Sequence, residues 1–116
     1  MERRKFYRNK IKVMIDFLDG SDIEIGYTRD ISVGGMFLET DRLSESGKLV
    51  FLDFFLPGVK RKFKLKGRVV WQSKDGDAEQ KIYPGVGIEF VDMNDLNMAD
   101  LKIGLMNNRR EEYEDK

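Results

Sequence analysis

The chain of 116 residues contains neither cysteine nor histidine. Without cysteine it cannot form disulfides or thiolate metal sites, and without histidine it lacks the commonest general base and transition-metal ligand. Ser32 therefore has no imidazole to activate it as a nucleophile. Asp19, Asp22 and Glu24 lack the spacing of an EF-hand loop. We expect a binding protein rather than an enzyme, with no metal and no cofactor.

Long apolar runs are also missing from the sequence. The longest, from Leu49 to Pro57, has nine residues and contains Asp53, whereas a membrane-spanning helix needs ~20 apolar residues. The basic N-terminus is followed by alternating residues rather than by the apolar region of a signal peptide. We therefore expect no membrane insertion and a cytoplasmic location.

The charges are balanced overall but unevenly distributed. The net charge of zero argues against a surface that attracts polyanions everywhere. Residues 1–12, however, combine the single acid Glu2 with six basic side chains, namely Arg3, Arg4, Lys5, Arg8, Lys10 and Lys12. This imbalance predicts a local anion-binding site at the start of the chain.

Apolar residues alternate with polar ones in several short segments, which is typical of half-buried β-strands. Phe63 and Trp71 lie on the apolar face of one such segment, and we expect both to be core residues together with Phe54 and Phe55. Leu49 to Leu56 is almost continuously apolar, which predicts a strand covered on most of its length. The six predicted strands contain Ile11–Phe17, Ile23–Ile31, Met36–Thr40, Leu49–Leu56, Phe63–Trp71 and Val86–Phe90.

After Asp92 the apolar spacing changes to three and four residues, as in Met98, Leu101 and Leu105. This spacing predicts an amphipathic helix over residues 93–108, capped by Asp92 or Asn94 and followed by a polar tail over 109–116. Six antiparallel strands favour a closed β-barrel, because closure removes exposed strand edges. We predict one all-β domain over residues 1–116, with the barrel at 11–91 and the C-terminal helix covering one opening or flank.

Two short motifs carry the functional interpretation. The first is Arg4-Lys5-Phe6-Tyr7-Arg8, and the second is Asp30-Ile31-Ser32-Val33-Gly34-Gly35. Each alone is a common composition, but the two in this order before such a strand pattern are a specific combination. The chain thereby resembles the PilZ family of small β-barrels that bind cyclic di-GMP, and this resemblance covers nearly its whole length.

The resemblance implies that Arg4, Arg8, Asp30, Ser32 and Gly35 bind cyclic di-GMP. Guanidinium groups can fork onto phosphate oxygens or onto guanine and can stack on the base. A carboxylate suits the N1 and N2 donors of guanine, a hydroxyl can contact a phosphate or a base, and a glycine permits close approach. Residues 1–10 would form a flexible ligand-binding segment. Further candidate ligand-binding residues are Arg3, Gly34 and Gly87.

Other interpretations remain open at this stage. The two arginines could be solvated charges, and Asp30 to Gly35 could be a local turn and bulge. The basic strand face formed by Lys62, Lys64, Lys66 and Arg68 could bind single-stranded nucleic acid, although no exposed aromatic side chains are expected on it. The PilZ resemblance instead implies a receptor, a monomer or homodimer, that signals to an unidentified effector protein.

Overall fold

The structure is a computed structural model that describes residues 9–20, 22–41, 44–74 and 84–107 of the chain. These residues form six β-strands and one α-helix. In chain order the elements are β1 (Met14–Asp19), β2 (Asp22–Ile31), β3 (Gly35–Glu39), β4 (Leu49–Phe54), β5 (Phe63–Ser73), β6 (Gly85–Val91) and α1 (Asp95–Met106).

The six strands close into an antiparallel barrel in the order β1-β2-β3-β6-β5-β4. Pairing of β1 with β4, in which Ile15 lies opposite Phe54, completes the closure. Every strand therefore has two hydrogen-bonded neighbours and none presents a free edge. The predicted fold, a six-stranded barrel with a C-terminal helix, is confirmed.

The core lies inside the barrel and continues under the helix. Alternate residues of each strand point inward, so the period of two in the sequence becomes an inner and an outer face. Burial of these apolar side chains is the main stabilising contribution, at about 25 cal/mol per Å² removed from water. The buried hydrophobic residues are Val13, Ile15, Phe17, Ile31, Met36, Leu38, Val50, Leu52, Phe54, Leu56, Phe63, Leu65, Val69, Val86, Ile88, Phe90, Leu101 and Leu105.

The expectation that β4 is covered on most of its length was wrong. Phe54 is buried as predicted, whereas Leu49 and Phe51 are 43% and 51% exposed. Phe55, which we expected in the core, is 50% exposed. An unbroken apolar run conceals the alternation of a strand, because hydrophobic outer positions look the same as inner ones.

The expectation that Trp71 shares the inner face of β5 with Phe63 was also wrong. Phe63 is buried, but the register of β5 against β6 shifts between Val69 and Trp71. Val70 is 46% exposed and Trp71 is 50% exposed. A β-bulge adds one residue to a strand and reverses the facing of those that follow. Trp71 therefore lies on the outer surface of the barrel.

Strand β1 begins three residues later than its sequence pattern suggests. The hydroxyl of Thr28 accepts a hydrogen bond from the amide of Val13 at 2.8 Å and donates one to the carbonyl of Ile11 at 2.7 Å. Together with the bond from the Thr28 amide to the Val13 carbonyl at 3.0 Å, they hold the segment before β1 against β2. Val13 still points into the core as predicted.

Helix α1 is capped by Asn94, one of the two predicted caps. The Asn94 side chain accepts a hydrogen bond from the amide of Asn97 at 2.7 Å. The other, Asp92, has a φ of 56° and forms an ion pair with Lys66 at 3.0 Å. The helix spans Asp95–Met106 and is thus shorter than the predicted 93–108. The predicted tail at 109–116 and the predicted turn at 75–77 lie outside the described residues.

Two faces of α1 are apolar, so it is less amphipathic than predicted. Leu101 and Leu105 are buried, and a Cβ atom at Gly104 would lie 2.7 Å from Cδ1 of Leu56. The opposite face exposes apolar side chains, including Ile103 at 59%. Within the described ranges no helix is long and apolar enough to cross a bilayer.

Candidate ligand-binding site

The residue that follows the arginine motif is bridged to the end of strand β2, where the second motif begins. Asn9, the residue after Arg8, forms an isolated antiparallel bridge with Ile31. Its amide donates to the carbonyl of Ile31 at 2.8 Å, and the amide of Ile31 donates to its carbonyl at 2.9 Å. Ile31 is the second residue of the Asp30–Gly35 motif. The predicted ligand-binding residues Arg3, Arg4 and Arg8 lie outside the described residues.

A β-bulge determines the direction of Asp30. The register between β2 and β3 shifts between Thr28 and Asp30, so that Arg29 is the extra residue. Strict alternation from Tyr27 would have turned Asp30 into the barrel and Ile31 out of it. Instead Ile31 is fully buried, and Asp30 pairs with Phe37 on the outer face. The bulge thus places the Asp30 carboxylate at the surface.

The residues from Ser32 to Gly35 form a tight turn between β2 and β3. The amide of Ser32 donates to the carbonyl of Gly35 at 2.8 Å. The Ser32 hydroxyl accepts from the amide of Gly34 at 3.2 Å and approaches the Gly35 carbonyl at 3.4 Å. Ser32 is only 1% exposed. Its hydroxyl therefore holds the turn in this structure, as in the local-turn interpretation of the motif.

Gly34 and Gly35 bring this turn directly against strand β6. The amide of Phe90 donates to the carbonyl of Gly34 at 2.9 Å. A Cβ atom at Gly35 would lie 2.1 Å from the carbonyl oxygen of Ile88, a distance too short for any residue other than glycine. Gly35 is therefore required by close backbone approach, and it is not among the glycines with positive φ.

Four residues on neighbouring strands form one row across the outer face of the barrel. Asp30 pairs with Phe37, Phe37 with Gly87, and Gly87 with Trp71. The rings of Phe37 and Trp71 are stacked, with centroids 5.2 Å apart and planes inclined by 16°. We call this row, Asp30-Phe37-Gly87-Trp71, the outer row. It places a carboxylate beside an exposed aromatic surface.

Asp30 and Gly87 were predicted from the sequence as ligand-binding residues, whereas the two aromatic members of the outer row were not. Phe37 stands in the predicted third strand, and nothing in that strand distinguished an outer aromatic from a core one. Trp71 was assigned to the core because the bulge before it has no clear sequence signal. Asn9, the residue after Arg8, which is bridged to Ile31, was not predicted either.

The basic face of β5 is interleaved with acids. Asp53 pairs in register with Lys64, Asp92 forms an ion pair with Lys66, and Glu89 pairs in register with Arg68. Phe51 and Phe55 are exposed near this face, contrary to our expectation. The acids still weaken the continuous positive potential that a nucleic-acid backbone requires. In the described part of the chain, no group of three or more acidic side chains could hold a metal ion.

The chain belongs to the PilZ domain family, whose sequence model matches residues 2–105. This match includes both motifs and all six strands. No curated protein sequence matches the chain significantly.

Solved structures with the same fold include the PilZ domain of YcgR from Escherichia coli, determined with c-di-GMP. It is 18% identical with a TM-score of 0.73, and the alignment covers 98% of this chain and 97% of that one. The inhibitor of motility MotI/DgrA from Bacillus subtilis is 20% identical with a TM-score of 0.74. That alignment covers 95% of this chain and 54% of the Bacillus chain, so this chain spans about half of that protein. The PilZ domain of CeSA from a cellulose-synthesizing bacterium has a TM-score of 0.63 and 21% identity, covering 86% of this chain and 98% of that one.

Proposed function

We propose that this PilZ domain is a receptor for cyclic di-GMP and not an enzyme. The observation that supports this most directly is the outer row beside the point where the arginine segment joins the barrel. Asp30 in that row lies next to Ile31, which is bridged to Asn9. Arg8 is bonded to Asn9 in the sequence. A ligand with two phosphates and two guanines would meet cations, a carboxylate and an aromatic surface together.

Each group has a distinct role in this proposal. Arg4 and Arg8 form forked contacts with the phosphates or the guanine O6 and N7 edge, and they stack on the bases. Asp30 accepts from N1 and N2 of guanine, which adenine cannot supply in the same pattern. Trp71, stacked on Phe37, offers an exposed ring against which a base can pack. Arg3 is a further cation of the same segment.

The turn residues contribute through the backbone they hold. The hydrogen bonds of Ser32 fix the turn that follows Asp30, and Gly35 lets this turn approach β6. Gly34 ties the turn to β6 through its carbonyl, and Gly87 leaves the space over β6 that the indole of Trp71 occupies beside Phe37. These residues therefore present the carboxylate of Asp30 and the aromatic pair at a fixed spacing, which lowers the conformational cost of binding.

The receptor signals through the ordering of its arginine segment. Ligand contacts to Arg4 and Arg8 would hold residues 1–8 against the barrel, and such a change can expose or cover a surface for another protein. The effector is an unidentified protein that contacts this domain. The interleaved acids on β5 make single-stranded nucleic acid the weaker alternative ligand.

Isothermal titration of the purified protein with cyclic di-GMP tests the proposal. We expect saturable heat of binding with cyclic di-GMP, a lower affinity for cyclic GMP-AMP, and no heat of binding with GTP or oligo-dT. Arg8→Ala should weaken binding about ten- to a hundredfold, because a charge-assisted contact is worth about 1.5 to 3 kcal/mol. Lys5→Ala is the matched control, since it removes one positive charge from the same segment without removing a planar fork. The absence of heat with cyclic di-GMP at tens of micromolar would overturn the proposal, as would turnover of the nucleotide.

A further inference from the structure

Asn9 joins three parts of the molecule through hydrogen bonds. Its backbone pairs with Ile31 of β2, with N···O distances of 2.8 and 2.9 Å. Its side-chain Nδ2 donates to the carbonyl oxygen of Leu105 in α1 at 2.9 Å, although the two residues are 96 positions apart. The residue is 1% exposed. A buried amide with this bond is fixed in position, because losing the bond would leave a buried polar group unsatisfied.

The bond to Leu105 lies in the last turn of α1, where it completes the hydrogen bonding of the helix. The final carbonyl groups of a helix have no partner within the helix itself. Here the amide of Asn107 donates to the carbonyl of Ile103 at 3.1 Å and is also directed at that of Leu105, to which Asn9 adds a side-chain donor. The last turn of α1 is therefore held in part by a residue from the segment before β1.

We infer that Asn9 is a positioning residue that couples the arginine segment to the last turn of α1. The inference rests on the proposed function, because the arginines act only when they hold a ligand. Arg8 is bonded directly to Asn9, so a constraint that the ligand places on Arg8 passes along the backbone to Asn9. Asn9 transmits it in two directions, to Ile31 beside Asp30 and to Leu105 in α1.

The coupling is reciprocal. If cyclic di-GMP stabilises the position of Asn9, it also stabilises the Asn9–Leu105 bond, and a well-formed last turn of α1 in return favours the ligand-binding arrangement. The output of the domain is then a change in the stability of the last turn of α1. Ile103 and Met106 of that turn are 59% and 54% exposed and would be affected by it.

The test compares Asn9→Ala and Asn9→Leu with Thr28→Val. Asn9→Leu keeps most of the buried volume and the backbone bridge but removes the donor, so it serves if Asn9→Ala fails to fold. Thr28→Val is the matched control. It removes the two side-chain hydrogen bonds from Thr28 to Ile11 and Val13, keeps the backbone bond from the Thr28 amide to the Val13 carbonyl, and does not alter α1.

Two measurements decide the outcome, namely titration calorimetry with cyclic di-GMP and hydrogen exchange at the amide of Asn107. In the wild type we expect cyclic di-GMP to slow this exchange about fivefold. Both Asn9 variants should lose that effect, bind about fivefold more weakly, and exchange faster at Asn107 even without ligand. Thr28→Val should retain the ligand effect and bind within about twofold of the wild type.

The alternative outcomes separate this inference from the proposed function. If the wild type binds but the Asn9 variants bind equally well, or still show slowed exchange at Asn107, the inference is wrong while the receptor function stands. If the wild type does not bind cyclic di-GMP, both fail together. Thr28→Val should not lose the slowing of exchange at Asn107 by cyclic di-GMP as completely as the Asn9 variants do. If it does, the loss comes from general loosening of the segment before β1, and the inference is overturned.

Discussion

Gly87 leaves open the space that the indole of Trp71 occupies on the outer face of the barrel. A Cβ atom at Gly87 would lie 2.2 Å from Nε1 of Trp71, far inside van der Waals contact. The indole can therefore lie over the strand and stack on Phe37, with ring centroids 5.2 Å apart. Glycine in the middle of a strand often marks such a close approach.

Substitution of Gly87 by alanine should displace the indole from Phe37. Trp71 is the single tryptophan of the chain, so its fluorescence reports the change directly, and we expect a shifted emission maximum in the ligand-free protein. Because a stacked aromatic pair is worth about 0.5 to 1.5 kcal/mol, cyclic di-GMP should bind about three- to tenfold more weakly. Both changes are measurable by titration followed by fluorescence.

Val70→Ala is the control for this substitution. Val70 lies next to Trp71, is 46% exposed, and has no place in the outer row. Val70→Ala should leave the emission maximum of Trp71 and the affinity for cyclic di-GMP near those of the wild type. Unchanged emission in Gly87→Ala would show that the indole does not need the space over Gly87.

The barrel and the outer-row aromatics differ in how far they follow from the sequence. Alternation of apolar residues was sufficient to predict six strands and one closed barrel, because burial of one face is a local property. It failed at Trp71, where one extra residue in β5 reverses the facing. The position of a bulge depends on how the strand pairs with its neighbour, and a single sequence does not show this pairing.

The motif from Asp30 to Gly35 shows the same limit in another form. The sequence left two interpretations of these residues open, namely ligand binding and a local turn, because aspartate, serine and glycine are also turn residues. Their physical roles were not all predicted. Ser32 bonds within the turn, and Gly35 is needed by the carbonyl of Ile88. Such contacts join segments far apart in the chain and appear only in the folded molecule.

Asp30→Asn tests whether the carboxylate selects guanine. An amide offers one acceptor oxygen without a negative charge, and its nitrogen can donate to adenine. We expect binding of cyclic di-GMP to weaken about tenfold while binding of cyclic di-AMP stays the same or improves. Competitive titration with both ligands measures the ratio.

Asp16→Asn is the comparison for Asp30→Asn. Asp16 also lies on the outer face of the barrel, in β1, and takes no part in the outer row. Asp16→Asn should leave the preference for cyclic di-GMP over cyclic di-AMP unchanged. An Asp30 variant that discriminates between the two ligands as well as the wild type would refute the selective role of the carboxylate.

Gly35→Ala should act on folding before it acts on binding. The added methyl group would meet the carbonyl oxygen of Ile88 in strand β6, and backbone atoms cannot move aside as a flexible side chain can. We expect the free energy of unfolding to fall by about 1 to 3 kcal/mol, which is the usual cost of overpacking. Urea denaturation measures this loss. A variant as stable as the wild type would mean that β3 and β6 can separate at little cost.

The buried carboxylate of Asp19 should contribute measurably to stability through Lys48. Asp19 is 3% exposed, Lys48 Nζ lies 2.7 Å from its Oδ1, and the hydroxyl of Ser44 donates to Oδ2. These contacts hold the segment before β4 against the end of β1. Lys48→Met removes the cation but keeps the aliphatic stem. Because the Lys48 side chain is 47% exposed, water can replace part of its contribution, and we expect a loss of about 1 to 2 kcal/mol.

A double-mutant cycle separates this ion pair from other effects. Asp19→Asn removes the charge that Lys48 neutralises, so Lys48→Met should cost much less in that background than in the wild type. Lys60→Met serves as the control, since Lys60 is exposed, and surface substitutions usually change stability by less than about 0.5 kcal/mol. Urea unfolding of the four cycle members and the control gives the coupling energy. Equal losses of unfolding free energy for Lys48→Met in both backgrounds would show that the lysine does not act through Asp19. The position of the segment before β4 would then depend on its backbone bonds, including the bond from the amide of Gly47 to the carbonyl of Val69 at 2.6 Å.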